Sequence, residues 1–169
     1  MRYSKSPDEE VYGFRPAAEA DLPLLRTWLR TPEVVHWWGE PEEQMALLEE
    51  DLGEPRMVMR IVSCADRRFA YAQDYDVHVW PQPHFAGLPA GSRAIDAFIG
   101  EPDFIGKGHG SAFLRLLAER LRREGAPVVA IDPGVDNLRA RRAYQKAGFC
   151  EGPVVETGEG PAILMIFGG

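Results

Sequence analysis

Cysteine is scarce in this chain: Cys64 and Cys150 stand far apart, outside any CxxC or Cys/His spacing. Two such thiols build neither a disulfide framework nor a zinc site, and they fit a reducing compartment, the cytoplasm. Basic residues are also in deficit, 19 Lys and Arg against 26 Asp and Glu, for a formal net charge of −7. Binding nucleic acid requires a basic stripe, so no nucleic-acid partner is expected. Long apolar runs are missing: no stretch approaches the ~18 apolar residues of a membrane span. The opening MRYSKSPDEE has no apolar signal core and reads as a flexible tail over residues 1–10. No membrane partner is therefore expected. His78, His84 and His109 have no metal-ligand spacing with one another, so no metal is expected either. The acidic surplus suits a cationic small molecule or, more simply, solubility.

What is present is an ordinary globular composition over 169 residues, 45% hydrophobic and 27% charged. That length gives a single domain, 1–169, large enough to bury its own core. Val11–Pro16 reads as a strand and Leu22–Arg30 as an amphipathic helix, after which Pro32 and His36–Glu40 break the pattern. A helix over about Glu42–Leu52 stops at Gly53. Met57–Cys64 and Arg68–Trp80 form an antiparallel pair, and 81–92, with three prolines and two glycines, forms a long loop. Arg93–Gly100 is a short apolar strand. Ser111–Glu124 is a helix stopping at Gly125, Pro127–Ile131 a buried strand, and Asp136 or Asn137 caps a helix that ends at Gly148. Strands around Val154–Glu156 and Ala162–Phe167 close the chain.

The segment from Ile105 to Phe149 carries most of the chemistry. Gly106, Gly108 and Gly110 precede a helix, where backbone N–H groups and the helix dipole can meet a phosphate. GKGHG lacks the Lys-Ser/Thr of a P-loop and misses the GxGxxG spacing, so a plain strand-to-helix turn remains open. Lys107 can add a point charge. Asp96 lies inside an apolar strand, where an unpaired charge is expensive; it can bind an ammonium or accept its proton. Asp132, before Pro133-Gly134, is either a turn residue or a second cation contact. Tyr144 is either a core aromatic or a general acid. One of Trp37 and Trp38 packs into the core. Gln73 and Tyr75 share one strand face and Asp74 the other, with Asp74 read as solvated. Cys150 reads as a buried packing residue.

Together these pieces resemble the GNAT superfamily of N-acetyltransferases, and within it the aminoglycoside 6′-N-acetyltransferases, over about Tyr12 to Phe167. The resemblance rests on the glycine triplet, on Asn137 followed by YQKAGF (144–149), on DLPLLRTWLRTPEVVHWWG (21–39), on YAQDY (71–75), on Ile95–Asp96 and on Asp132–Pro133. It implies a mixed α/β GNAT fold: a mostly antiparallel twisted sheet of about seven strands with about four helices, splayed where the acetyl-CoA strand and the next strand part. It implies direct transfer of acetyl from acetyl-CoA to an amine of a polycationic amino sugar, a resistance reaction, by a cytoplasmic monomer or homodimer. Asp96, Asp132 and Tyr144 align with catalytic positions. Acetyl-CoA contacts fall on Phe98, Ile99, Ile105, Gly106, Lys107, Gly108, His109, Gly110, Ser111, Asn137, Tyr144 and Lys146, and acceptor contacts on Trp37, Trp38, Gln73, Tyr75, Asp96 and Asp132. Ile105 stands where the family carries Arg or Gln, which implies weaker CoA binding. The poorest match is 76–92, on the acceptor side. Rival readings are acylation of another amine (a different amino-sugar position, a siderophore lysine, a protein N-terminus) and a non-catalytic CoA-binding protein.

Overall fold

The computed structural model describes residues 11–169; the tail expected over residues 1–10 lies outside them. Seven strands in the order β1-β2-β3-β4-β5-β7-β6 form the sheet: β1 Tyr12–Pro16, β2 Met57–Cys64, β3 Arg67–Asp76, β4 Arg93–Ile99, β5 Val129–Ile131, β6 Phe149–Thr157 and β7 Gly160–Phe167. Among the described residues the helices are α1 Leu22–Leu29, α2 Pro32–Trp38, α3 Pro41–Leu52, α4 His109–Arg123 and α5 Leu138–Ala147. Five helices replace the expected four. Pro32 does end α1, yet it occupies the first turn of α2, where its missing N–H is not needed. Gly39, at φ 102°, then stops α2. No helix among the described residues is long and apolar enough to cross a membrane.

The contacts divide the chain into two compact units, 11–73 with 97–109, and 74–96 with 110–169. In the first, β1 pairs antiparallel with β2 from Tyr12↔Cys64 to Pro16↔Arg60. Leu25, Trp28 and Leu29 fall at i, i+3 and i+4 on α1, and all three are buried. Trp28 is fixed twice: its indole N–H donates to Glu101 Oε1 at 2.9 Å, and its ring packs against Gly100. A Cβ at Gly100 would come within 2.1 Å of the indole Cγ.

In the second unit, β4 pairs with β5 in parallel over only two residue pairs, Arg93↔Val129 and Ala94↔Ala130, although β4 runs on to Ile99. That short ladder is the splay the GNAT resemblance implies. β7 continues antiparallel from β5 and carries β6 on its other side, with a register irregularity between Glu151 and Val154. Gly152 and Pro153 sit at that break, which is why the sequence suggested only Val154–Glu156 for a strand that spans Phe149–Thr157. α4 buries Phe113, Leu114, Leu117 and Leu121. Asn137 caps α5 by accepting the Ala140 N–H at 3.2 Å, and Gly148 ends it in the left-handed conformation.

Two expectations need correction. Asp74 is not solvated: it is 1% exposed and ion-paired with Arg93 at 2.6 Å, because β3 is buried on both faces there. Cys150 is exposed, not buried. In addition, β3 ends at Asp76 and not at Trp80, since the Asp76 carboxylate accepts the His78 and Val79 N–H groups and turns the chain.

Candidate active site

In the second unit the singled-out Tyr75, Asp96, Asp132 and Tyr144 lie with Gln82, His84 and Glu159, which were given no role in the site. Asp96 is half-buried on β4, Asp132 follows the end of β5, and Tyr144 is half-buried on α5. Their fields reach one another. Burial first, then Asp96 and Asp132, hold the Tyr144 phenol well above its ordinary value. Tyr75, 2% exposed on β3, is held up by the same causes in the same order. Its hydroxyl accepts from Gln82 Nε2 at 2.7 Å, which offsets part of that rise. Burial and then Glu159, in the β6–β7 turn, push the Asp132 carboxyl up to about 7, against a pull from its own backbone N–H.

His84 is the residue that sequence reasoning missed. Its Nε2 lies 2.7 Å from Asp132 Oδ2, and its side chain is only 3% exposed. Burial lowers the imidazole and Asp96 raises it. Desolvation thus opposes the charged form of both partners. The only signal in the sequence was stiffness, a histidine set among three prolines in 81–92. Its partner lies 48 residues away, and spacing cannot reveal such a pair.

The glycine turn is open on the side where a diphosphate would lie. Ile105 N donates to Pro102 O at 3.2 Å, and the chain then turns through Gly106 (φ 75°) and Gly108 (φ 86°) into α4. A Cβ on either glycine would meet nothing within 4 Å, so space lies open above a backbone that leads into a helix N-terminus. The first-turn N–H groups of α4 have no acceptors within the helix. A diphosphate fits this arrangement. Several predicted contact residues have side chains engaged elsewhere, which leaves their backbone as the usable part. The His109 ring takes a 2.7 Å bond from or to Tyr12 and packs on Phe69 and Phe104. Ser111 Oγ donates to Ala143 O, and Asn137 Oδ1 is spent on the α5 cap. Phe98 is core, packed against Trp28, Trp38 and Tyr71. Ile99 and Ile105 are half-buried, and Lys107 and Lys146 are exposed.

Among the predicted acceptor residues of the first unit, Trp38 is half-buried and meets Tyr71 and Phe98 edge-on. Gln73 Oε1 accepts from the Tyr71 hydroxyl at 2.7 Å. Trp37, also half-buried, contacts His36. Neither tryptophan of the pair is fully buried; that place belongs to Trp28. No group of three or more His, Cys, Asp or Glu among the described residues could hold a metal ion.

A family model described as an acetyltransferase (GNAT) domain matches residues 17–157. The chain belongs to the GNAT acetyltransferases. The type 1 aminoglycoside N(6′)-acetyltransferase of Klebsiella pneumoniae is 31% identical over 161 residues, covering 88% of this GNAT chain and 78% of its own. Two solved structures share its fold closely. AAC(6′)-Ib with ribostamycin and coenzyme A superposes with a TM-score of 0.82 at 31% identity, covering 92% of each chain. AAC(6′)-Ib with coenzyme A and kanamycin gives 0.80 at 30%, covering 92% of this chain and 93% of that one.

Proposed function

We propose that the protein transfers acetyl from acetyl-CoA to an amino group of an aminoglycoside, directly and without a covalent enzyme intermediate. The observation that supports this reading is that the Asp96 and Asp132 charges both act on the Tyr144 phenol in a GNAT chain. Its solved relatives bind coenzyme A together with ribostamycin or kanamycin.

An aminoglycoside presents ammonium groups, and an ammonium has no lone pair. Asp96 holds the reacting nitrogen and receives its proton, directly or through water. Asp132 steadies a charged part of the acceptor. The freed amine attacks the thioester carbonyl, the C–N bond forms, and the C–S bond breaks. Tyr144, kept protonated by its surroundings, gives its proton to the departing sulfur, and the second proton of the acylated nitrogen restores the phenol, directly or through water. The backbone from Gly106 to Gly110 binds the diphosphate, and the acyl chemistry comes from acetyl-CoA itself. Half-buried Trp37 and Trp38 offer ring surface for a sugar. Because one family model spans 17–157, the chain is read as one acetyltransferase domain. It acts in the cytoplasm, where its acyl donor is made, as a monomer or homodimer, with no nucleic-acid or membrane partner.

The test is incubation of the purified protein with acetyl-CoA and kanamycin, ribostamycin, simple diamines and an amino-terminal peptide, followed by mass spectrometry. Kanamycin or ribostamycin gains one acetyl group in the expected result. If only peptide or lysine amines are acetylated, the acceptor assignment fails and the rival amine reading takes its place.

A further inference from the structure

The segment between β3 and β4 is built as a fixed strap. Phe85 anchors it with no exposure, and Gln82 ties it to the Tyr75 hydroxyl. His78 Nε2 bonds Leu88 O at 2.6 Å, and Val77 N closes its base on Ser92 O at 3.0 Å. The single turn Pro83–Phe85 packs against β6. This strap carries His84 to the Asp132 carboxylate and buries its ring there. A loop with only a structural duty does not need an imidazole at a buried carboxylate; an apolar side chain would fill the place at lower desolvation cost.

We infer that His84 is a positioning residue of the acceptor site, holding Asp132 through its 2.7 Å bond in the orientation and ionised state that receive an ammonium. The inference rests on the acceptor reading given above. Besides Asp132, the charged and titratable groups around the pair are Asp96 from β4, Tyr75 from β3, Tyr144 from α5 and Glu159 from the β6–β7 turn. Burial and, of these groups, Glu159 disfavour ionisation of Asp132, and a His84 N–H donor acts against them. A donated hydrogen bond to the charged form favours that form.

Two measurements test this. The first is the pH profile of kcat/KM for an aminoglycoside with wild type, His84→Ala and His84→Gln. Gln places an amide N–H close to where Nε2 lies but does not titrate. In His84→Ala the acid limb should move up by about one pH unit, with a loss of about tenfold at the acid end and little at pH 8.5. His84→Gln should return the limb toward wild type. A folded His84→Ala with the wild-type limb, or with an even loss at every pH, overturns the inference; an even loss marks a packing role. The second readout needs no substrate. The ¹⁵N shifts of His84 should show an inflection from the Asp132 carboxyl that disappears in Asp132→Asn. Its persistence in Asp132→Asn also overturns the inference. If the wild type acetylates no aminoglycoside, the acceptor reading fails by itself, and the nitrogen titration still decides whether His84 governs Asp132.

Discussion

Asp96 and Asp132 are both carboxylates beside Tyr144, yet their surroundings separate their duties. In the proposed mechanism Asp96→Asn removes the proton acceptor and should lower kcat/KM by about 10²- to 10⁴-fold, with acetyl-CoA affinity unchanged by isothermal calorimetry. Asp132 has a stability signature as well. Its folded-state pKa of about 7 lies above the ordinary carboxyl value, so the folded chain binds the extra proton between those values. The associated stability is present at low pH and lost as pH rises through about 7. Asp132→Asn should therefore be more stable than wild type at pH 8, by roughly 2–4 kcal/mol, and equal to it near pH 4, as read by urea unfolding. In turnover the sign reverses: kcat/KM for a cationic acceptor should rise through neutral pH as Asp132 ionises. At this scale the sequence was a partial guide. Asp96 stood out because a carboxylate in an apolar strand is a local pattern, whereas Tyr144 was open between core aromatic and acid until the GNAT resemblance singled it out. Asp74 was misread because alternation separates two faces without saying that both are buried. His84 gave no periodic or spacing signal, since its meaning lies in a partner distant in the chain.

At the scale of elements, the turn into α4 and the seat of α1 make separable predictions. Gly108 has φ 86° with open space above it. Gly108→Ala adds strain of about 1–3 kcal/mol and a methyl group in the open space proposed for the diphosphate. Acetyl-CoA affinity should fall on the order of tenfold by calorimetry, while the acceptor profile keeps its shape. Gly100→Ala instead drives a methyl into the Trp28 ring. It should cost about 3 kcal/mol or more and lower the melting temperature, with little direct effect on acetyl-CoA contacts. The elements themselves were largely legible: β2, β4, α4 and α5 lie within a few residues of where periodicity and caps put them. The misses cluster where one residue has two local meanings. Pro32 both ends a helix and begins one, and Gly152-Pro153 looked like a strand boundary but is a register irregularity within β6.

For the whole molecule, the formal charge of −7 favours the approach of polycations over long distances, and salt screens that field. The kcat/KM for a tri- or tetracationic aminoglycoside should fall steeply between low and physiological ionic strength. For a monoamine acceptor it should barely change. Equal salt slopes for the two would show that the charge serves solubility alone.

The exposed Cys150 has a practical effect on any colorimetric assay of CoA release. A disulfide-type chromogenic reagent meets an accessible protein sulfhydryl as well as the liberated coenzyme. Progress curves should begin with a rapid colour step proportional to enzyme concentration and independent of antibiotic. Cys150→Ser should remove that step and leave the steady-state slope intact.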